Sequence, residues 1–174
     1  MITSKKVETI SKNVKCLFRK SFHLKERIPL WIFKKYLKTK ELELTEYFDD
    51  NLFIGFTMIL NFDNYAYLLY FATEPTIRSK GYGSKIMQQF IKDYQNREIL
   101  FAIEKVTDFN DLSDDKTRRF NFYKKNGFIL NDFEIKAIMV GTFNIMSIKP
   151  LDVNNFRKTL RKYSPRIIKI QKMN

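Results

Sequence analysis

The sequence has few of the residues that interrupt or cross-link a chain. Its 174 residues include five glycines, four prolines and one cysteine. This composition leaves little room for a flexible linker or a low-complexity segment. Cys16 cannot form an internal disulfide, which is typical of a reducing compartment and predicts a cytoplasmic location. Because Cys16 lies among Val14, Leu17 and Phe18, we expect it to pack in the core.

Patterns for metal binding and membrane insertion are also scarce. His23 is the single histidine of the sequence, so we predict neither a metal site nor a histidine-based catalytic triad. The apolar runs are strand-sized and fall short of the ~18 residues that a membrane span needs, which predicts no membrane partner. The first residues lack the apolar stretch of a signal peptide.

Positive charge, by contrast, is abundant and uneven. The net charge is +13, and residues 1–40 carry 12 Lys and Arg against two acids. Such an excess suits an anionic partner, for example nucleic acid or a phosphorylated cofactor. However, no nucleic-acid-binding motif accompanies the charge, and AT-rich codon usage also enriches Lys, Asn, Ile, Phe and Tyr. Solvated lysine-rich faces are therefore the preferred interpretation, and a nucleic-acid partner is not favoured.

The hydrophobic periodicity predicts a mixed α/β domain. Strands are predicted over residues 2–8, 41–48, 52–60, 65–72, 99–104, 128–140 and 142–149. Helices are predicted over residues 9–22, from Pro29 onwards, and over 82–95, 115–125 and 151–163. The nearly continuous apolar character of residues 65–72 predicts burial on both faces of that strand. We expect one domain over residues 1–150, with residues 151–174 forming a basic helix or tail that packs on it or extends from it.

The clearest functional signal is the turn between a buried strand and an amphipathic helix. It consists of Arg78, Ser79, Lys80, Gly81, Tyr82, Gly83 and Ser84. Free backbone N–H groups and the positive end of the helix dipole favour a phosphate at such a position, and glycines leave the backbone accessible. The spacing is neither that of a Walker A loop nor that of a dinucleotide fingerprint. Taken alone, these glycines also suit an ordinary strand-to-helix turn.

Two motifs in register resemble the GNAT N-acetyltransferases. Residues 78–83 resemble the Arg/Gln-x-x-Gly-x-Gly/Ala signature of that family, and residues 123–128 resemble its Tyr-x-x-x-Gly-Phe element. The resemblance covers about residues 52–149. It implies a mixed α+β fold in which helices flank a mostly antiparallel, splayed central sheet.

The resemblance further implies acetyl-CoA as cosubstrate. The backbone of Phe71, Ala72 and Thr73 would pair with the pantetheine arm, and residues 79–84 would hold the pyrophosphate. Arg78 and Lys80 would add positive charge there. The reaction implied is direct attack of a primary amine, on a small molecule or a peptide, upon the thioester.

Tyr123 matches the general acid of the family, which protonates the departing CoA thiolate. A phenol of pKa near ~10 can donate to a thiolate of pKa about 8.5. Burial as an ordinary aromatic core residue is the competing interpretation. Some family members carry a glutamate base in the strand before the turn, where this sequence has Tyr67. Glu104, at the end of the next strand, is therefore our candidate base; the alternatives are Glu74, a water molecule, or no dedicated base if the amine arrives neutral.

Two other functions remain open on the sequence alone. One is a basic nucleic-acid-binding domain, and the other is a non-catalytic CoA-binding sensor of the same fold. The sequence leaves the acceptor unidentified and the oligomeric state open, with a homodimer as one option.

Overall fold

The structure is a computed structural model that describes residues 2–77, 80–137, 141–163 and 168–173. This part of the chain contains eight strands and five α-helices. The strands are β1 (Ile2–Val7), β2 (Leu42–Asp49), β3 (Leu52–Phe62), β4 (Tyr65–Thr73), β5 (Glu98–Glu104), β6 (Ile129–Ala137), β7 (Gly141–Ser147) and β8 (Ile168–Lys172). The helices are α1 (Lys12–Ser21), α2 (Leu30–Lys38), α3 (Tyr82–Asp93), α4 (Asp115–Lys125) and α5 (Val153–Tyr163).

The predicted mixed α/β fold is confirmed, and every predicted strand and helix is found among the described residues with ends shifted by a few residues at most. Residues 138–140, the end of the strand predicted over 128–140, lie outside the described residues. Each of the strand pairs with a described register is antiparallel. Helix α1 begins three residues later than predicted because Ser11 caps it, its hydroxyl accepting a hydrogen bond of 3.2 Å from the Val14 amide. Such a cap satisfies one of the otherwise unpaired first-turn N–H groups. None of the described helices is long and apolar enough to cross a membrane.

The chain divides into two compact units, Met1–Tyr94 and Gln95–Asn174. In the first unit the strands lie in the order β1-β2-β3-β4. Helices α1 and α2 cover one face of these strands. The apolar side chains that pack there include Val14, Leu17, Phe18, Phe33, Leu37, Leu44, Phe56, Met58, Tyr70 and Ala72. Helix α3 packs on the opposite face, where Ile86 approaches Gly55.

Two predictions about burial are corrected in this unit. Cys16 is exposed, because Val14, Leu17 and Phe18 share the inner face of α1 and the ~100° turn per residue directs position 16 away from it. Strand β4 alternates between buried and half-buried side chains rather than being enclosed on both faces. The half-buried side chains are those of Tyr67, Leu69, Phe71 and Thr73.

In the second unit the strands lie in the order β5-β7-β6-β8. Asp114 caps the start of helix α4, and its carboxylate accepts a hydrogen bond from the Lys116 amide at 3.1 Å. The chain leaves α4 through Gly127 in the left-handed conformation, with φ +91°, as its Asn-Gly sequence predicts. The fully buried Phe156 of α5 packs against Phe133, with ring centroids 5.9 Å apart.

Strand β8 was not predicted from the sequence. It pairs with β6, and Gln171 donates from Nε2 to Glu134 Oε1 at 2.6 Å. Five residues of alternating apolar and polar character are a weak signal, and the strand forms because β6 offers an edge more than 30 residues earlier in the chain. Residues 151–174 therefore supply a strand to the second unit as well as a helix, while their assignment as a segment separate from a 1–150 domain remains a prediction.

Candidate functional site

The glycine turn at the start of α3 has an accessible backbone. Gly81 is the N-cap and has φ +78°, a left-handed conformation that favours glycine. Among the described residues, no side chain caps this end of the helix, and a Cβ atom built at Gly81 would meet none of their atoms within 4 Å. The space beside the first-turn N–H groups of Tyr82, Gly83 and Ser84 is thus open on the Gly81 side. Arg78 and Ser79, which complete the predicted turn, lie outside the described residues.

The side chain of Tyr82 forms a hydrogen bond within the first unit. Its hydroxyl donates a hydrogen bond of 2.6 Å to Asp49 Oδ2 at the end of β2. This bond lowers the pKa of the Asp49 carboxyl and raises the pKa of the Tyr82 phenol. Lys85 Nζ lies 5.6 Å from the centre of the Tyr82 ring. Tyr82 therefore anchors the first turn of α3 to β2, and only its backbone N–H remains for an anion at the turn.

Gly55 brings β3, β4 and α3 unusually close together. It lies opposite Thr73 in the antiparallel register. A Cβ atom at Gly55 would come within 2.4 Å of the Ala72 carbonyl oxygen and 3.3 Å of Ile86 Cδ1. No other amino acid fits without moving backbone, so Gly55 sets the distance between the Phe71–Thr73 segment and the helix that follows the turn. The sequence analysis missed Gly55, although a glycine inside a strand is a known sign of close backbone approach.

Tyr123 combines a packed ring with an unused hydroxyl. It lies on α4, half-buried, with the Phe101, Phe122 and Phe128 ring centroids at 4.3, 5.2 and 6.0 Å. Burial raises the pKa of its phenol to about 12, and the positive charge of Arg119 opposes part of this rise. Within the described part of the chain the hydroxyl has no hydrogen-bond partner. The ring therefore packs among other aromatic side chains, and the general-acid role of the hydroxyl stays a prediction.

Glu104 lies at the end of β5 and forms an ion pair with Arg119 of α4 through Oε2. Both side chains are partly exposed, at 37% for Glu104 and 56% for Arg119. Oε1 of Glu104 makes no hydrogen bond among the described residues. The guanidinium fixes one carboxylate oxygen and leaves the other for a proton or a ligand. This ion pair was not predicted, because an arginine fifteen residues from its partner carries no local signal of pairing.

A pocket of about 740 Å³ opens in the second unit. Its wall consists of Phe109, Asn110, Phe120, Asn121, Lys124, Gly127, Phe128, Ile129 and Leu130. Neither Tyr123 nor Glu104 lines it, so this pocket does not bring the predicted catalytic residues together.

A family model for the acetyltransferase (GNAT) domain matches residues 45–130, a span that contains the glycine turn, Glu104 and Tyr123. This part of the chain matches the GNAT acetyltransferase family. The resemblance inferred from residues 78–83 and 123–128 is thereby confirmed, as is the GNAT class of fold.

Solved structures of GNAT proteins share this fold. A protein from Bacteroides thetaiotaomicron, described as an acetyltransferase of the GNAT family, is 26% identical, with a TM-score of 0.72 over 87% of this chain and 89% of its own. A Bacillus subtilis acetyltransferase in complex with CoA is 12% identical, with a TM-score of 0.62 over 87% of this chain and 100% of its own. A GNAT acetyltransferase from Elizabethkingia anophelis with acetyl-CoA bound is 13% identical, with a TM-score of 0.54 over 85% and 97%. No curated protein sequence matches the chain.

Proposed function

We propose that this protein transfers an acetyl group from acetyl-CoA to a primary amine of a small molecule or peptide. The observation that carries the proposal is the glycine turn at the start of α3, where Gly81 is left-handed and no side chain of the described residues caps the helix. Backbone N–H groups at a helix N-terminus bind phosphate well. The presence of CoA or acetyl-CoA in the Bacillus subtilis and Elizabethkingia anophelis structures supports the choice of donor.

In this proposal the donor binds along the first unit. The pantetheine arm follows the backbone of Phe71, Ala72 and Thr73, and the pyrophosphate binds at the turn. The turn residues assigned to it are Arg78, Ser79, Lys80, Gly81, Tyr82, Gly83 and Ser84. The fixed separation at Gly55 supports this arrangement, because it holds the strand and the start of α3 in one rigid relation.

The reaction proceeds by direct attack. The amine nitrogen forms a bond to the thioester carbonyl carbon, and the carbon–sulfur bond breaks as the CoA thiolate leaves. Backbone N–H groups near residues 71–73 stabilise the oxyanion that develops on the carbonyl oxygen. The proton lost by the amine passes to Glu104 Oε1 or to water, and Tyr123 donates a proton to the thiolate. The products are an N-acetylated amine and CoA, and no covalent enzyme intermediate is needed.

Calorimetry with acetyl-CoA tests the donor site. Gly81→Asp places a side chain and a negative charge at the turn, so we expect acetyl-CoA affinity to fall by about tenfold or more, the loss for one charge-assisted contact. Gly141→Asp is the matched control, because Gly141 also has positive φ and open space around it but lies outside the turn. Equal affinity of Gly81→Asp and the unmodified protein would contradict the pyrophosphate assignment.

A panel of primary amines, followed by release of free thiol from acetyl-CoA, tests the reaction. We expect thiol release that depends on both the amine and the protein, with N-acetylated product found by mass spectrometry. Tight acetyl-CoA binding without thiol release on any amine would instead favour a CoA sensor. Nucleic-acid binding that weakens steeply with salt, without acetyl-CoA binding, would favour the nucleic-acid-binding alternative.

A further inference from the structure

Glu46, in the middle of β2, is a buried carboxylate without a partner. The residue is 6% exposed, and its Oε1 atom is buried with no hydrogen bond. In the described part of the chain it makes neither an ion pair nor a hydrogen bond through its side chain. Removing a carboxylate from water without compensation is costly, so such a group calls for an explanation.

Two other acids of the described residues, the half-buried Glu43 and the buried Glu134, are paired. Glu43, three residues earlier on β2, accepts hydrogen bonds from Asn61 at 2.7 Å and Tyr94 at 2.8 Å, and it pairs with Lys6. The buried Glu134 pairs with Lys105 at 2.9 Å and accepts from Gln171 at 2.6 Å. Of the two buried acids among the described residues, Glu134 has partners and Glu46 has none.

The strand register places Glu46 in line with the proposed donor segment. Glu46 lies opposite Phe56 of β3, and Phe56 lies opposite Ala72 of β4. These three residues form a row across the first unit, on the face that α1 and α2 cover. With neighbouring strands ~4.8 Å apart, the row is about 10 Å long from Glu46 to Ala72. The carboxylate is thus on the level of the chain where the donor's pantetheine arm is proposed to lie.

The surroundings of Glu46 are apolar. Leu44 and Phe48, two residues away on either side, belong with Phe56 to the cluster under α1 and α2. The nearest cross-strand cation is Lys5, which lies directly opposite on β1 but is exposed and forms no ion pair with Glu46. One carboxylate among aromatic and aliphatic side chains is complementary to an ammonium group on an apolar body, since rings also attract cations.

We propose that Glu46 binds the ammonium group of the acceptor, and that the acceptor is a monoamine with an apolar or aromatic body. The inference rests on the acetyl transfer proposed above, because the row from Glu46 ends at the donor segment. A bound ammonium supplies the missing counter-charge. Without acceptor, the charge of Glu46 has no counter-charge among the described residues, and the fold is less stable for it. The bound acceptor compensates that charge.

The test uses 2-phenylethylamine as probe and the full chain, by calorimetry with and without CoA. Glu46→Gln should bind the amine roughly 10- to 100-fold more weakly, as expected for loss of a charge-assisted hydrogen bond. Glu41→Gln, which removes the same charge from the exposed residue just before β2, should bind like the unmodified protein. Glu46→Asp keeps the charge and should retain more affinity than Glu46→Gln. The neutral analogue 2-phenylethanol should bind independently of Glu46.

Thermal unfolding separates this role from a structural one. A partnerless carboxylate destabilises the fold, so Glu46→Gln should unfold at the same or a higher temperature. A structural ion pair with Lys5 would instead make Glu46→Gln and Lys5→Met unfold at lower temperature, with amine binding unchanged, and would overturn the proposal. Absence of 2-phenylethylamine binding by the unmodified protein would overturn it as well. Failure of the protein to bind acetyl-CoA would overturn the proposed acetyl transfer. Amine binding measured without CoA would still decide whether Glu46 binds an ammonium group.

Discussion

Replacing Tyr123 with phenylalanine removes one hydroxyl and leaves the aromatic ring in place. The ring contacts with Phe101, Phe122 and Phe128 are preserved, and the hydroxyl has no hydrogen-bond partner among the residues described. The substitution therefore breaks no internal hydrogen bond. We expect the free energy of unfolding to change by no more than about 0.5 kcal/mol.

The effect on catalysis follows from the phenol's pKa of about 12. Proton transfer from such a donor to a thiolate is unfavourable by about 5 kcal/mol when the pKa of the corresponding thiol is ~8.5. Tyr123 then stabilises the leaving thiolate by a hydrogen bond, or protonates it where burial raises the pKa of the thiol too. General-acid contributions are roughly 10²- to 10⁴-fold, and we expect Tyr123→Phe to lower kcat by about 10²-fold, at the lower end. Since the phenol stays protonated below pH about 12, Tyr123 should cause no loss of activity between pH 7 and about 10.

Tyr94→Phe is the reciprocal control. The Tyr94 hydroxyl donates to Glu43 at 2.8 Å and is buried, so its removal should cost ~1–3 kcal/mol of stability without lowering turnover. The assays are thiol release with an amine from the panel, acetyl-CoA calorimetry and urea unfolding. Normal turnover of Tyr123→Phe would refute the catalytic role and return the residue to the core alone. A stability loss for Tyr123→Phe as large as that for Tyr94→Phe would refute the reading of its hydroxyl as unused.

Three further predictions concern positioning, the base and pH. Gly55→Ala should lower the free energy of unfolding by ~1–3 kcal/mol, because the new Cβ meets a backbone oxygen, and should weaken acetyl-CoA binding. Urea unfolding measures the first effect and calorimetry the second. A variant with unchanged stability and affinity would contradict the close approach at Gly55. Glu104→Gln should lower kcat and leave acetyl-CoA affinity unchanged, whereas an unaltered pH–rate profile would assign the proton to water. The pKa of Glu134 is lowered in the folded state, chiefly by the hydrogen bond from Lys105. Ionised Glu134 therefore stabilises the fold above its ordinary pKa of 4.5, and this contribution is lost as the pH falls through its pKa in the folded state. Glu134→Gln should accordingly flatten the acid side of the stability profile in urea unfolding, and a profile as steep as that of the unmodified protein would contradict the pairing.

Local chemistry explains why so much of the secondary structure could be predicted. Asn126 and Gly127 end α4 because glycine accepts the left-handed conformation there, and Asp114 starts it because its carboxylate satisfies a first-turn amide. These effects act within a few residues and are visible in any sequence. Strand β8 escaped prediction because its stability comes from an edge supplied by β6.

The candidate site divides in the same way. The sequence by itself determined the glycine turn and the Tyr123 element, since phosphate binding at a helix start and a tyrosine four residues before Gly-Phe are patterns of nearby residues. Only the tertiary structure decided that Tyr123 has a packed ring and an unused hydroxyl, that Glu104 is held by Arg119, and that Glu46 is enclosed without a counter-charge. The physical reason is that burial, pairing and pKa depend on which distant residues the fold brings into contact. The sequence of a strand specifies which side chains alternate between its two faces. It does not specify which residues from other parts of the chain pack against each face.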